Sequence, residues 1–267
     1  HGMQNGKLSV FDKTGKYLWG LNKRGQGPGE YEELDDFSLT DNGDIVIPTY
    51  KRIITYDSIG HFLFESKMDI FMTEFSYIGN NSFIVRHFAA YRYDNNLFSI
   101  MDNKGIIKGR LFKQSNIEAK KSAFLVDARS ITTYKSMIYF IYPYCDTIYS
   151  IDNKDNINHL YYIDFDRKKI PVTLLNANDD HYAWEKKLSR LDDYLHVSAI
   201  GFTENYVYIG SINKSFQAFF TLYSKKNKHI LTAHKLIDNM FLKGNIFNVT
   251  AKNMPYNMDG NDILWPL

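Results

Sequence analysis

One pattern recurs along the chain and limits its fold more than any other. A short run of Tyr, Phe, Ile and Val ends in a turn on Asp, Asn, Ser or Gly, and a second such run comes back. The first copy is KLSVFDKTGKYLWGL, where two alternating apolar runs flank Asp12-Lys13-Thr14-Gly15. The next, DIVIPTYKRIITYDSIGHFLFES, turns on Asp57-Ser58-Ile59-Gly60. Weaker copies follow in LFSIMDNKGIIKGRLF, TIYSIDNKDNINHLYYIDF and AFFTLYSKKNKHILTAHKL. Alternation with a period of two residues marks half-buried strands, and Gly and Asn accept the positive φ of tight hairpins.

Another pair of strand-like runs precedes each later hairpin: FSLTDNGDIVIP (37–48), FSYIGNNSFIVRHF (75–88), ITTYKSMIYFIY (131–142) and SAIGFTENYVYIGS (198–211). An inner pair plus an outer hairpin makes a four-stranded antiparallel unit, recurring roughly every 40–65 residues, a spacing that suits propeller blades with insertions. The first unit shows only its outer hairpin, and the last segment, NIFNVTAKNMPYNMDGNDILWPL, shows only inner strands. Counting both ends gives six sectors, or five if the ends combine. The sequence therefore predicts an all-β chain, a single domain over residues 1–267 built as a six-bladed β-propeller of four-stranded antiparallel blades.

One segment breaks the rhythm. NANDDHYAWEKKLSRLDDYLHV (176–197) spaces Trp184, Leu188, Leu191 and Leu195 as a helix does, behind the cap-forming Asn178-Asp179-Asp180. This predicts a short amphipathic helix over about 178–195 whose apolar stripe is for packing. A second unusual stretch, RGQGPGEYEELDDF (24–37), invites a phosphate-loop reading. Such a loop needs a helix behind it, with its N-terminus aimed at the anion. Here an acidic run leads into a strand, and the Lys-Ser/Thr ending of a Walker motif is missing. Gly25, Gly27, Pro28 and Gly29 are accordingly read as a structural turn.

Charge excludes other classes. With 32 basic and 30 acidic residues the net charge is +2, which offers no stripe for nucleic acid. Lys186-Lys187 and Lys225-Lys226 read as solvated surface. The single cysteine, Cys145, rules out an internal disulfide, and the acid beside it works against a reactive thiolate. No apolar run approaches the ~18 residues of a membrane helix, so no transmembrane segment is expected.

At this point VFDKTGKYLWGLNKRGQGPGEY, YPYCDTIYSID (142–152) and the final NDILWPL, taken in order, resemble the signatures of a family of six-bladed β-propellers abundant in Bacteroidetes, related to NHL-repeat and TolB-like propellers. The resemblance runs from end to end. It implies an envelope protein, periplasmic or anchored at the outer membrane as a lipoprotein. Family members begin with a lipoprotein signal and continue past the Trp-Pro segment, so this chain is expected to be incomplete at both ends.

On a propeller, the turns between second and third strands share one face with the connections between blades. The resemblance places Tyr50, Lys51, Arg86, His87, Tyr144, Asp146, Ser211 and Asn213 there as ligand-binding candidates. It also places the glycine loop on that face, and the helix as a partial lid. Aromatic, cationic and amide groups suit a protein, peptide or glycan partner; the plainer role for each is to satisfy backbone groups in long loops. No catalytic residue and no cofactor is predicted. The alternative is a metal-assisted hydrolase or lactonase with a divalent cation at the channel mouth. Against it, the histidines show no HxxxH or HExxH spacing, and there is no GxSxG elbow. Sequons at Asn80, Asn213 and Asn248, and the Asp-Ser/Thr-aliphatic triplets at Asp57 and Asp146, read first as turn or strand residues.

Overall fold

The turns come first, because they set the strands. At Asp12, Asp57 and Asp102 the same device appears: one carboxylate oxygen accepts the backbone N–H two and four residues on, at 2.8–3.0 Å. In each, a glycine three residues on takes positive φ: Gly15 (84°), Gly60 (88°) and Gly105 (80°). A short polar side chain thus mimics a backbone turn and leaves the left-handed position to the residue that bears it most cheaply.

The computed structural model describes residues 2–264 apart from 5, 35, 50, 69, 88–89, 93, 115–129, 136, 143, 153–155, 176–178, 216, 239–244, 249–256 and 260–261. The chain divides into two units, His1–Lys113 and Gln114–Leu267. In the first unit, β1 (Gly2–Gln4), β2 (Lys7–Phe11) and β3 (Tyr17–Leu21) form a three-stranded sheet. A four-stranded sheet follows, made of β4 (Ser38–Leu39), β5 (Ile45–Thr49), β6 (Arg52–Tyr56) and β7 (Phe62–Lys67). The next contains β8 (Met72–Gly79), β9 (Ser82–His87), β10 (Asn96–Asp102) and β11 (Ile107–Lys113). Every named sheet pairs neighbours in sequence order and antiparallel, as propeller blades do.

The middle sheet of this unit is apolar on both faces, and the period of two explains how. Ile45, Ile47, Ile54 and Tyr56 pack with Leu8, Leu21, Tyr31 and Leu34 on one side. Val46 and Ile53 pack with Phe75, Phe83, Val85 and Met101 on the other. Alternate residues on each strand thus serve opposite neighbours. The outermost strand β7 is largely exposed, whereas β9 is buried throughout.

The second unit repeats the scheme. One sheet holds β12 (Ile131–Tyr134), β13 (Met137–Phe140), β14 (Thr147–Ile151) and β15 (Ile157–Tyr162). Another holds β16 (Leu195–Phe202), β17 (Tyr206–Asn213), β18 (Ala218–Ser224) and β19 (Ile230–Ala233). Aromatic rings join the two: Tyr139 stacks on Phe202 at 3.9 Å, and Tyr161 meets both Phe202 and Tyr223. Lys225, read from sequence as solvated, lies with its ammonium 5.3 and 5.5 Å from the ring centres of Tyr134 and Phe202. Two hairpins complete the described chain: β20 (Lys235–Asp238) with β21 (Asn245–Asn248), and β22 (Asn257–Asp259) with β23 (Asp262–Leu264). Where the sequence suggests six sectors, the described residues form four four-stranded sheets, one of three strands and these two hairpins.

Between β15 and β16 lie α1 (Val172–Leu175) and α2 (His181–Leu188). The predicted helix is corrected here. Asp180 caps α2 by accepting the Ala183 N–H at 2.7 Å, but the helix stops at Leu188. Leu195, the last residue of the predicted stripe, opens β16 and pairs with Asn213. Sheet pairing overrides helical spacing there, while Leu191 still packs against Trp184 and Leu188.

Candidate ligand-binding face

The glycine loop is knitted from within. The amides of Gly25, Gly27 and Gly29 would have to face a phosphate, and each is already spent: on Tyr31 O (3.0 Å), Glu30 Oε2 (2.9 Å) and Glu65 Oε2 (3.2 Å). Two of those acceptors are carboxylates, which sit where an anion would have to go. Arg52, opening β6, donates to Glu30 O at 3.1 Å and pairs with Glu65 at 3.2 Å. The buried Tyr56 hydroxyl donates to Gly29 O at 2.6 Å. Gly29 adopts φ +68°, and a Cβ there would come within 2.7 Å of the Phe62 ring.

Past this loop the chain reaches a cavity of about 330 Å³ in the first unit. Glu32, Glu33 and Asp36 line it from the connection into β4; Pro48, Thr49 and Lys51 line it from the end of β5 and its turn. Ile70, Phe71, Met72, Thr73, Glu74 and Phe75 line it from the next connection and the start of β8. Inter-sheet connections and a second-to-third-strand turn therefore meet in one concave place lined by both apolar and polar side chains.

The sequence-predicted residues fall out differently from one another. Tyr50 lies outside the described residues. Lys51 is exposed at the cavity with φ 61°. Arg86 is 3% exposed and pairs with the cavity-lining Glu74 at 2.8 Å. His87, also 3% exposed, has its Nε2 2.8 Å from Ser99 Oγ, and burial brings its pKa down to about 4. Both side chains are buried, and neither lines the cavity.

In the second unit Tyr144 takes φ 61° and turns its ring onto Trp184, centres 5.5 Å apart. Burial pushes its phenol well above the usual range. Asp146 pairs with Lys169. Ser211 is buried in β17. Asn213 repeats the turn device, its Oδ1 accepting from Ser215 N at 3.0 Å and Gln217 N at 2.9 Å. Burial, more than the neighbouring Asp146, raises the Cys145 thiol, which keeps it protonated. Among the described residues no three His, Cys, Asp or Glu side chains converge on a cation-sized site, and no helix is long and apolar enough to cross a membrane.

Sequence reasoning missed Arg52, Glu65 and Tyr56, which hold the loop, and Glu74, which holds Arg86. Glu74 and Arg86 are cross-strand partners on β8 and β9, but register shifts at Met72/Glu74 and Tyr77/Gly79 displace the pairing from that of an ideal hairpin. The loop's partners lie 22–36 residues away and carry no local signal.

No curated protein matches the sequence. Among solved structures the fold is similar to that of a Bacteroides fragilis protein described as exported, with 18% identity and a TM-score of 0.68 over 85% of this chain and 65% of that one. This chain thus spans just under two thirds of that protein's length. A member of the DUF4221 family from Bacteroides vulgatus is also similar, with 11% identity and a TM-score of 0.55 over 84% of this chain and 72% of that one. Likeness at such identities concerns the fold alone. The model of the family described as a domain of unknown function (DUF4934) matches residues 3–261, and the chain belongs to that family.

Proposed function

We propose that the chain is a non-catalytic binding module of the bacterial cell envelope. In this reading the antiparallel sheets close into a single six-bladed propeller related to NHL-repeat and TolB-like propellers, and the loop-rich face takes a peptide, glycan or protein partner. The observation that carries it is the cavity at Lys51: two inter-sheet connections and a strand turn meet there, and aromatic, aliphatic, hydroxyl and charged side chains line it together. Its lining supports recognition of a body with both apolar and hydrogen-bonding surface. The envelope location follows the similarity to a protein described as exported.

Thermal-shift measurement with saccharides, short peptides and divalent cations tests this reading. A partner present at about 100 times its Kd stabilises the folded state by about 2.7 kcal/mol. A rise in Tm with a saccharide or peptide, lost in Lys51→Glu, is the expected result. A fall in Tm with EDTA that one metal restores, together with turnover of an ester or lactone, would replace binding by metal-assisted hydrolysis.

A further inference from the structure

The insert between β15 and β16 sits on a small apolar cluster of its own. Trp184 (2% exposed), Leu188 and Ile170 are buried there, with Tyr144 and Tyr194 packed against them. Such satellite clusters open more readily than a sheet core, because few buried contacts hold them. At the edge of this one lies His196, the second residue of β16. Its ring meets Tyr144 edge-on at 6.2 Å and stacks on Tyr194 at 6.3 Å. Tyr144 in turn carries the contact to Trp184. His196 is half-buried as a residue, and its Nδ1 is sealed off and has no hydrogen-bond partner. A neutral imidazole leaves one uncharged nitrogen unsatisfied there, acceptor or donor according to tautomer; an imidazolium would put a charged N–H donor in the same dry place.

We propose that α2 is an acid-released cap, which leaves Tyr144 and Tyr194 when His196 is protonated while the sheets stay folded. The charged groups around the seat do not offset the new charge. Glu185 on α2 acts on Tyr144 and Tyr194, adding to the effect of burial on both phenols. Asp193 is engaged by Lys168 at 2.9 Å, and Asp146 by Lys169. Burial alone brings His196 down to about 4. A group whose folded pKa is lowered in this way favours the docked state above its ordinary range near 6.5, and that preference is lost as pH falls toward 4. The cap covers Tyr144, so acid would expose an aromatic surface. This inference stands apart from the cavity at Lys51.

The test uses a Trp19→Phe/Trp265→Phe background, in which Trp184 is the sole tryptophan. Lowering pH from 7 to 3.5 is expected to red-shift its fluorescence, with a midpoint between about pH 4 and 5, before far-UV circular dichroism changes. His196→Phe should abolish that early shift. Leu188→Ala should move the midpoint up by about one unit for each tenfold weakening of docking, since release and protonation are linked. The proposal is overturned by an unchanged transition in His196→Phe, by a red shift that coincides with loss of the sheet signal, or by no shift at all. Should His196→Phe fail to fold, an unmoved midpoint in Leu188→Ala overturns it equally.

Discussion

The glycine loop and the helical insert do the same job by opposite means. Each connects two successive sheets, and each is held down by side chains remote in sequence. The loop is fixed by polar groups: three glycine amides, the Arg52 guanidinium, two glutamates and the Tyr56 hydroxyl. The helix of the insert is seated on apolar ones, Trp184, Leu188 and Ile170 among tyrosine rings, and its ion pairs Lys168–Asp193 and Lys169–Asp146 are partly exposed. A polar tether specifies one geometry, because an unmade buried hydrogen bond is costly; an apolar seat tolerates sliding and can be lost as a unit. The loop should therefore resist local opening, and the insert should not.

The largest expected effect follows from that difference. Trp184→Ala removes the centre of the insert's seat and should cost about 3–5 kcal/mol of docking. Hydrogen exchange checks it: amides of α2 should lose protection while those of β17 and β18 keep theirs. Uniform loss across both sheets would show that the insert is part of the core, and the contrast with the loop would fail.

Acid separates the units next. His87 ends β9 and reaches Ser99 on β10, and burial, helped by the charge of Arg110, brings its pKa down to about 4. Its unfolded value is near 6.5, so the unfolded chain binds the extra proton between those limits. Stability is complete above pH 6.5 and falls by up to about 1.4 kcal/mol per pH unit on the way to pH 4. His87→Gln should flatten that slope in global unfolding by denaturant. His196 should instead show itself in the local signal of Trp184. If both histidines move only the global curve, the insert has no independence.

Much of this architecture could be read directly, and the exceptions have physical causes. The hairpins at Asp12, Asp57 and Asp102 are legible because one carboxylate and one glycine encode each turn locally. The spacing of Trp184, Leu188 and Leu191 announces an apolar stripe that packs, yet the same spacing takes in Leu195, because it does not reveal where a strand partner takes over. The site was less legible. Arg86 and His87 come at the end of a strand, where exposed candidates are expected, but both are buried and bonded to Glu74 and Ser99. Asn213 was read as a ligand candidate, and its side chain is occupied in closing its own turn.

Two glycine substitutions sharpen the account of the loop. Gly29→Ala meets both a positive φ and the Phe62 ring 2.7 Å away, whereas Gly15→Ala meets positive φ with open space. Backbone strain alone is worth about 1 kcal/mol, and the clash should add as much again, so Gly29→Ala should cost about 2 kcal/mol and Gly15→Ala about half that. Urea midpoints distinguish them; equal losses would mean that the loop yields to make room and is less rigid than its hydrogen bonds imply.

The smallest effect is the most specific. Tyr56→Phe removes one hydroxyl and leaves the ring in the core cluster it shares with Leu8 and Ile54. Its partner, Gly29 O, would then lack the 2.6 Å bond that pins the crest of the loop to β6. A buried neutral hydrogen bond contributes about 1 kcal/mol, so the global loss should be modest. The exchange rate of the Gly29 amide should rise out of proportion to it, because that N–H reaches Glu65 only while the crest is held down. A polar tether is cooperative in this sense: cutting one strand of it loosens the next. If Gly29 exchange follows global stability alone, the loop's bonds act singly, and loop and insert differ in chemistry but not in kind.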